Sequence, residues 1–223
     1  MCGRFSLAAD ASELQAAFPG FFVPEQVSPR YNVAPTQPIL AIPNNIEKRA
    51  DIFVWGLIPS WSKDPTIGVR MINARAEGLA EKPSFRGPYR YKRCIIPVTG
   101  FYEWKKNPEE KTKTPYNICM QGGGVFGLAG LWDEWLSSDG SIVRSCTIIT
   151  TTPNPLMAQL HDRMPVILAP QDYSTWLDPK PVKPGELDGL LKPYPQQHMA
   201  AYAVSTLVNS ASNDSPVCVQ AVA

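Results

Sequence analysis

The chain has 223 residues, of which 44% are hydrophobic, and its formal net charge is +1. This length allows a substantial core, and the absence of any run of about 18 apolar residues excludes a membrane-spanning helix. Five widely spaced cysteines without a CxxC pair, together with only two histidines, argue against a disulfide framework and against a metal centre. We therefore expect a globular protein that uses no metal and no cofactor. The N-terminal segment lacks the basic and apolar regions of a signal peptide, which predicts a cytoplasmic location.

The chain begins Met-Cys-Gly-Arg-Phe, so a cysteine directly follows the initiator methionine. If Met1 is removed, Cys2 carries a free α-amine and a thiol on one residue. A free cysteine is more often a small buried hydrophobe, and Cys2 taken alone is compatible with both interpretations.

Short elements follow in chain order, and strands outnumber helices. The first is a helix over residues 10–18, in which Asp10 and Glu13 have the spacing of a capping box. Apolar and β-branched runs predict strands at 39–42, 51–58, 93–98, 115–120, 125–132, 143–151 and 165–168. Further helices are predicted over 73–81, 154–160 and 170–177.

Many strands without regular βα alternation indicate the α+β class. We expect a single domain over residues 1–223 with a mixed or antiparallel β-barrel-like core and short peripheral helices. The proline-bounded segment 181–195 is predicted to be an excursion from that domain.

Basic residues are concentrated between Arg70 and Arg93, where seven Lys or Arg stand against two Glu, a local charge of +5. From His161 to the end, four basic and six acidic residues give −2. This asymmetry indicates a side of the molecule that faces phosphate groups, although an ordinary solvated surface has the same appearance.

Three polar residues stand among aromatic or apolar neighbours. Glu103, between Tyr102 and Trp104, is predicted at or near a strand end, where lost hydration raises the pKa of a carboxyl and suits it to acid–base catalysis. A surface carboxylate is the alternative. His161 precedes Asp162, but adjacent His and Asp form no triad because consecutive side chains are expected to point in different directions. Taken alone, His161 is more often a hydrogen-bonded structural histidine. Asn73 has a helix N-cap as its ordinary explanation.

Two tryptophans are assigned different roles. Trp55 is predicted to lie within a strand and to belong to the core. Trp61 follows Pro59 and Ser60 in a predicted loop, where an exposed indole is suited to stacking on a base or a substrate ring.

Six motifs occur in order over residues 1–168: MCGRF, RYNVAPTQ, WGLIPSW, INARAE, RCIIPVTGFYEW and LHDRMPVIL. In this order they closely resemble the SOS-response-associated peptidase (SRAP) family, and VSTLVNSASND near the end fits more loosely. The resemblance implies a compact α+β domain around a β-barrel-like core. It also implies autoproteolytic loss of Met1 and covalent capture of the ring-opened abasic-site aldehyde in single-stranded DNA by Cys2.

The family's functional residues carry over motif by motif. Cys2 matches the nucleophile, and Asn73, Glu103 and His161 match the residues around it. Arginines 4, 75 and 163 (Arg4, Arg75, Arg163) resemble those that contact phosphate or sugar, and Trp61 resembles a residue that stacks at the DNA junction. Some relatives carry a second tryptophan where this chain has Ser62, which puts the strength of base stacking in doubt. The implied enzyme is a monomeric cysteine autopeptidase with abasic-site crosslinking chemistry.

The residues are chemically suited to this assignment. An α-amine has a pKa of roughly 7.7–8.0, so a neutral fraction near pH 7 can attack an aldehyde to form a Schiff base. The thiol of the same residue then closes onto the imine carbon as a five-membered thiazolidine, an intramolecular step with a large effective concentration. Two alternatives stay open: an N-terminal-nucleophile amidohydrolase, in which the thiol attacks an amide, and a single-stranded-DNA binding module without covalent chemistry.

Overall fold

The structure is a computed structural model that describes residues 2–107 and 112–222. Its strands are β1 (Phe5–Leu7), β2 (Arg30–Val33), β3 (Pro38–Pro43), β4 (Asp51–Trp55), β5 (Asn73–Arg75), β6 (Arg93–Val98), β7 (Gly100–Asn107), β8 (Thr112–Met120), β9 (Phe126–Leu136), β10 (Ile142–Thr151), β11 (Met164–Pro165), β12 (Ile167–Leu168) and β13 (Met199–Ala203). The α-helices are α1 (Ala11–Ala17), α2 (Pro83–Tyr91), α3 (Pro155–Ala158) and α4 (Tyr173–Trp176).

Short 3₁₀ turns complete the described structure, at Pro65–Arg70, Ala76–Gly78, Pro170–Asp172, Asp188–Leu190, Gln196–His198, Thr206–Asn209 and Pro216–Val219. Within the described ranges, no helix has the length and apolar character needed to cross a membrane.

Five strands close into a barrel in the order β10-β4-β3-β6-β9 and back to β10. All of these pairs are antiparallel except β10–β4, where Cys146 stands opposite Trp55 in parallel register. Strands β11 and β12 extend β10 and β9, and β5 runs parallel to β10 with Asn73 opposite Ile148. The prediction of an α+β fold with a mixed β-barrel core and short helices is confirmed. That the domain extends over all of residues 1–223 stays a prediction.

A five-stranded antiparallel sheet, in the order β13-β8-β7-β1-β2, packs against the barrel. Phe5 and Phe101, which pair across β1 and β7, share one apolar cluster with Trp55 and Cys146 of the barrel. Cys2 belongs to the same cluster and is fully buried. The interface between the two sheets is therefore where the chain's N-terminal segment lies.

Most predicted elements are found at their predicted places. Strand β6 has the predicted boundaries, and Trp55 is a buried core residue at the end of β4. The capping box of α1 is formed, since Asp10 Oδ1 accepts the Glu13 amide at 2.9 Å and Glu13 Oε2 accepts the Asp10 amide at 2.9 Å. Segment 181–195 has no strand, but Val182, Leu187 and Leu191 are buried in the core, so it is packed on the domain and is not an excursion from it.

The helix predicted over residues 73–81 is wrong. Asn73–Arg75 form strand β5 and Ala76–Gly78 form a 3₁₀ turn, because pairing with β10 overrides the helical preference of this Ala- and Glu-containing segment. Helix α2 was not predicted, since Pro83 and Pro88 both lie within it. Pro83 occupies its first turn, where the missing N–H is not needed.

Arg93 is fully buried at the start of β6, and within residues 2–107 and 112–222 it forms no salt bridge with a carboxylate. Its five donors all reach backbone carbonyls. Nε donates to Trp176 at 2.8 Å, Nη1 to Tyr89 at 3.1 Å and to Arg90 at 3.0 Å, and Nη2 to Asp178 and to Lys180. One side chain thus joins the ends of α2 and α4 to a barrel strand.

Replacing Arg93 with Met should lower the free energy of unfolding by about 3 kcal/mol or more, because several buried carbonyls lose their donor and each such loss costs about 1–3 kcal/mol. Urea denaturation monitored by circular dichroism measures this change. Arg86→Met, at an exposed position of the same helix–strand region, is the control and should stay within about 0.5 kcal/mol of the wild type. Equal stability of Arg93→Met and wild type would contradict the assigned role.

Candidate functional site

Three of the predicted site residues meet between the five-stranded sheet and the barrel. Cys2 precedes β1, Glu103 lies on the neighbouring β7, and Asn73 opens β5 beside β10. Asn73 Nδ2 donates a 2.7 Å hydrogen bond to the Cys2 carbonyl. Asn73 is therefore not a helix N-cap; it is a side chain that fixes the main chain of Cys2.

Glu103 is buried in the middle of β7, which corrects the prediction that it lies at a strand end. It is the fourth of eight residues and only 4% exposed, which excludes a surface carboxylate. Because side chains alternate along a strand, Glu103 shares a face with Phe101, which packs in the same cluster as Cys2.

Burial determines the electrostatics of this pair. It raises the pKa of the Cys2 thiol, and the nearby Glu103 carboxylate raises it further. Burial also raises the pKa of Glu103, although the charge of His161 opposes this change. A protonated thiol is a poor nucleophile without a base, and a carboxyl with a raised pKa holds its proton more readily than an ordinary carboxyl, which suits it to acid–base catalysis.

His161 stands beside Glu103, and its ring is held by a tight turn. The Arg163 backbone N–H donates to His161 Nδ1 at 3.0 Å, and Asp162 Oδ1 lies 2.7 Å from the same nitrogen. The expectation that the side chains of His161 and Asp162 diverge is wrong, because the bend at residue 162 turns the two side chains toward each other. Asp162 also acts on Glu103, raising its pKa.

Arg163 and Arg75 lie at the end of β10, next to this cluster. Arg163 holds Glu77 with two hydrogen bonds of 2.7 and 2.9 Å, and its Nη2 also donates to the Thr150 carbonyl at 2.5 Å. These bonds lower the pKa of Glu77. Arg75, opposite Thr150 in β5, is exposed. Of the two arginines, Arg163 already holds a carboxylate and Arg75 faces solvent.

The Arg4 side chain forms hydrogen bonds within the protein. Nη1 donates to Asn32 Oδ1 at 2.8 Å and to the Val208 carbonyl at 2.8 Å. Asn32 is fully buried, and its Nδ2 reaches the carbonyls of Ser210 and Asn213. The sequence analysis assigns Asn32 no role, although this residue lies in the motif RYNVAPTQ, which was the available signal. A DNA contact by Arg4 stays a prediction.

Trp61 lies on the loop after β4 and is 58% exposed. It lines a cavity of about 470 Å³ together with Ser60, Pro83, Ser84, Arg86, Gly87, Pro88 and Asp133. The ends of this loop are held by close backbone contact, since a Cβ on Gly56 (φ +134°) would lie 2.6 Å from the Gly68 carbonyl oxygen. Trp61 is thus an exposed ring on an anchored loop. The cavity that it lines includes none of the residues around Cys2.

Metal ligation finds no support in residues 2–107 and 112–222, where no group of three or more His, Cys, Asp or Glu side chains is placed to hold an ion. The prediction that the protein uses no metal and no cofactor stays a prediction.

Comparison with known proteins gives consistent matches over the whole chain. A family model described as SOS response associated peptidase (SRAP) matches residues 1–211. The chain is 49% identical over 223 residues to abasic site processing protein YoqW of Bacillus subtilis, with 99% of each chain covered. It is also 49% identical over 218 residues to abasic site processing protein YoaM of that organism, with 96% of each covered. A solved structure of a protein from Bacteroides thetaiotaomicron has a TM-score of 0.88 and 32% identity over 100% of both chains.

The burial of Glu103 predicts how stability depends on pH. Folding raises the pKa of Glu103 above its ordinary value of 4.5, so this carboxyl ionises more easily in the unfolded chain. As pH rises above 4.5, Glu103 therefore lowers the free energy of unfolding. Glu103→Gln should therefore be more stable than wild type at pH 7–8, by about 1.4 kcal/mol for each pKa unit by which folding raises that of Glu103, and the difference should shrink toward pH 4.

Urea denaturation at several pH values measures this difference, and the exposed Glu81→Gln is the matched control. A difference between Glu103→Gln and wild type that grows as pH falls would have the wrong sign.

Proposed function

The chain belongs to the SOS response associated peptidase (SRAP) family, and on this premise we propose that it processes abasic sites by capturing their ring-opened aldehyde in single-stranded DNA through Cys2. In this proposal, Cys2 becomes the N-terminal residue by autoproteolytic removal of Met1, which lies outside the described residues. The product is a thiazolidine that links the protein covalently to DNA. The proposed enzyme is a monomeric cysteine autopeptidase that forms one domain over residues 1–223.

The burial of Cys2 between Asn73 and Glu103 is the observation that carries the proposal. Asn73 Nδ2 binds the Cys2 carbonyl at 2.7 Å, so the position of the residue is fixed. In the part of the chain that the structure describes, Asn73 Oδ1 is buried and has no hydrogen-bond donor. This oxygen is an acceptor suited to the amine that removal of Met1 would expose.

The proposed reaction balances without a cofactor. The neutral amine of Cys2 adds to the aldehyde carbon, and loss of one water gives an imine. The Cys2 sulfur then adds to the imine carbon while a proton passes to nitrogen, closing a ring of S, Cβ, Cα, N and the former aldehyde carbon. Glu103 takes the thiol proton and supplies one to the departing hydroxyl. Removal of Met1 is hydrolysis of the Met1–Cys2 peptide bond, with Glu103 again as the proposed proton carrier.

The remaining predicted residues are proposed to hold the DNA. Arg75 is exposed beside the cluster and is suited to a phosphate contact. Arg163 is occupied by Glu77, so a phosphate at Arg163 must displace that carboxylate. Arg4 is proposed as a further contact, and the exposed ring of Trp61 is proposed to stack on an unpaired base, which favours a single strand.

The decisive experiment incubates the protein with single-stranded DNA that carries one abasic site and resolves the products on a denaturing gel. Wild-type protein should give a covalent product, and Cys2→Ala should give none. Cys119→Ala, which removes a half-buried thiol elsewhere, is the control and should crosslink normally. Intact mass spectrometry should show a mature wild-type chain that lacks Met1.

Other outcomes favour the alternatives. Non-covalent binding without a crosslinked band favours a simple binding module, and glutamine hydrolysis favours an amidohydrolase. Crosslinking by Cys2→Ala at the wild-type level would overturn the assignment of Cys2.

DNA affinity should depend on a few local contacts, because the net charge is only +1. Measured in the Cys2→Ala background, Arg75→Ala should make the log–log salt dependence of binding shallower by about 0.7, the contribution of one phosphate. Trp61→Ala should weaken binding by about 1–3 kcal/mol with the slope unchanged, since stacking releases no counterions. Arg49→Ala, at an exposed arginine between β3 and β4, should change neither quantity. A salt-independent affinity would contradict these contacts.

A further inference from the structure

Three side chains of the barrel contact the loop that carries Trp61. We call residues 58–62 the Trp61 loop. Asp133 and Trp135 on β9 bond to it, and so does Ser145 on β10. Asp133 and Ser145 stand opposite each other across the two strands, and Trp135 lies two residues further along β9. Because side chains alternate along a strand, all three lie on the same face of the barrel sheet.

The two β9 side chains bond to the main chain directly before and directly after Trp61. Asp133 Oδ2 accepts the Ser60 amide at 2.8 Å. Trp135 Nε1 donates to the Ser62 carbonyl at 2.6 Å. One bond is accepted from the loop and the other is donated to it, so the backbone is held on both sides of the indole.

The anchoring groups are themselves fixed. Ser145 is fully buried, and its Oγ accepts the Ile58 amide at 2.7 Å at the start of the loop. Asp133 is buried as well, and its Oδ1 accepts both the Lys92 ammonium at 2.8 Å and the Glu134 amide at 2.9 Å. A carboxylate held in this way is a fixed acceptor for the loop.

The loop that these groups hold is open to solvent. Trp61 is 58% exposed, and Ser60 beside it is exposed too. When a base stacks on a ring of a moving loop, the loop must be ordered, and that ordering lowers the affinity. Main-chain bonds on both sides of Trp61 order the loop before a base arrives.

We propose that Asp133 and Trp135 are positioning residues that keep the Trp61 loop in one conformation, so that its indole is ready to stack on an unpaired base. This inference rests on the proposed function, in which Trp61 contacts single-stranded DNA. Asp133 and Trp135 act only through the loop and need no contact with DNA. When either bond is lost, the affinity falls in proportion to the fraction of molecules whose loop has left this conformation.

Amide hydrogen exchange, followed by NMR on the full chain without DNA, tests whether the loop is held. The Ser60 amide should exchange slowly although Ser60 is exposed, because Asp133 accepts its hydrogen. Trp135→Phe keeps an aromatic ring and removes the Nε1 donor. The Ser60 amide should then exchange about 2- to 12-fold faster, the range expected for one lost hydrogen bond, while the amides of β6 exchange as in wild type. Trp104→Phe, which removes an indole donor from β7, should leave the Ser60 amide unchanged.

The second measurement is the affinity for single-stranded DNA that carries an abasic site, in the Cys2→Ala background. Trp135→Phe should weaken binding by about 2- to 12-fold, with the salt dependence unchanged because no phosphate contact is lost. When the background also carries Trp61→Ala, the same substitution should change the affinity by less than about twofold, since the ring that it positions is absent.

Two variants of Asp133 test its bond to the loop. Asp133→Ala and Asp133→Asn both remove the charge that pairs with Lys92, but Asn keeps an oxygen that can accept the Ser60 amide. Asp133→Ala should weaken binding by at least as much as Trp135→Phe, and Asp133→Asn should restore most of the lost affinity. Exchange of the β6 amides reports whether each variant keeps the fold, and Trp135→Phe tests the inference independently.

The measurements separate the possible failures. Fast exchange of the Ser60 amide in wild type, or the same exchange rate in wild type and Trp135→Phe, overturns the inference. An equal loss of affinity for Trp135→Phe with and without Trp61 also overturns it, since it would indicate a direct contact of Trp135 with DNA. Equally weak binding by two folded Asp133 variants overturns the role of that residue. The expected exchange rates in a protein whose Trp61→Ala variant binds DNA like wild type support the positioning of the loop and reject the proposed stacking instead.

Discussion

The site depends on how a strand of only three residues is held. Strand β1 pairs with β2 on one side and β7 on the other, so it is an interior strand of the five-stranded sheet. Arg4, just before it, donates to Asn32 on β2 and to the Val208 carbonyl of the last loops. These contacts order a segment that in most domains is frayed, and they bring Cys2 into the core, where Asn73 and Glu103 meet it.

Placing a thiol and a carboxyl together in that core works against stability. Both groups lose hydration, and each is held closer to its neutral form than in water. The barrel and the second sheet tolerate this because the surrounding cluster is apolar and tightly buried, and because Arg93 joins the outer helices to β6 through main-chain carbonyls. The barrel and the second sheet supply the stability, and under the proposed function the cluster around Cys2 transfers protons.

The sequence predicts elements well where local pattern and tertiary pairing agree. Strand β6 has its predicted boundaries because an apolar run, residues 94–98, follows Arg93, and α1 lies where predicted because Asp10 and Glu13 cap it locally. The helix prediction for residues 73–81 is wrong because β5 pairs with β10, which is distant in sequence. Local helix preference carries no information about that pairing. Glu103 was placed at a strand end for the same reason, since its partner Tyr116 on β8 is not visible from the local pattern.

The site residues were predicted from family motifs. Such motifs indicate which residues belong to the site, but they do not indicate the contacts that these residues make. The contact of Asp162 with His161 and the pairing of Arg163 with Glu77 depend on backbone turns that no spacing rule predicts.

The long separation between β1 and its partner β7 also determines when the chain acquires a reactive centre during synthesis. Residues 5–6 pair with residues 100–101, and a partner so far along the chain must be made before the sheet can form. A nascent chain that ends before residue 103 has no Glu103 near Cys2, and β10, which lies beside Asn73, is made later still. Under the proposed function, an N-terminal aminothiol exposed on the ribosome would react with any cellular aldehyde it met. In that proposal Met1 is removed by the assembled site, which includes residues up to His161, so the aminothiol is not exposed until most of the chain has been made.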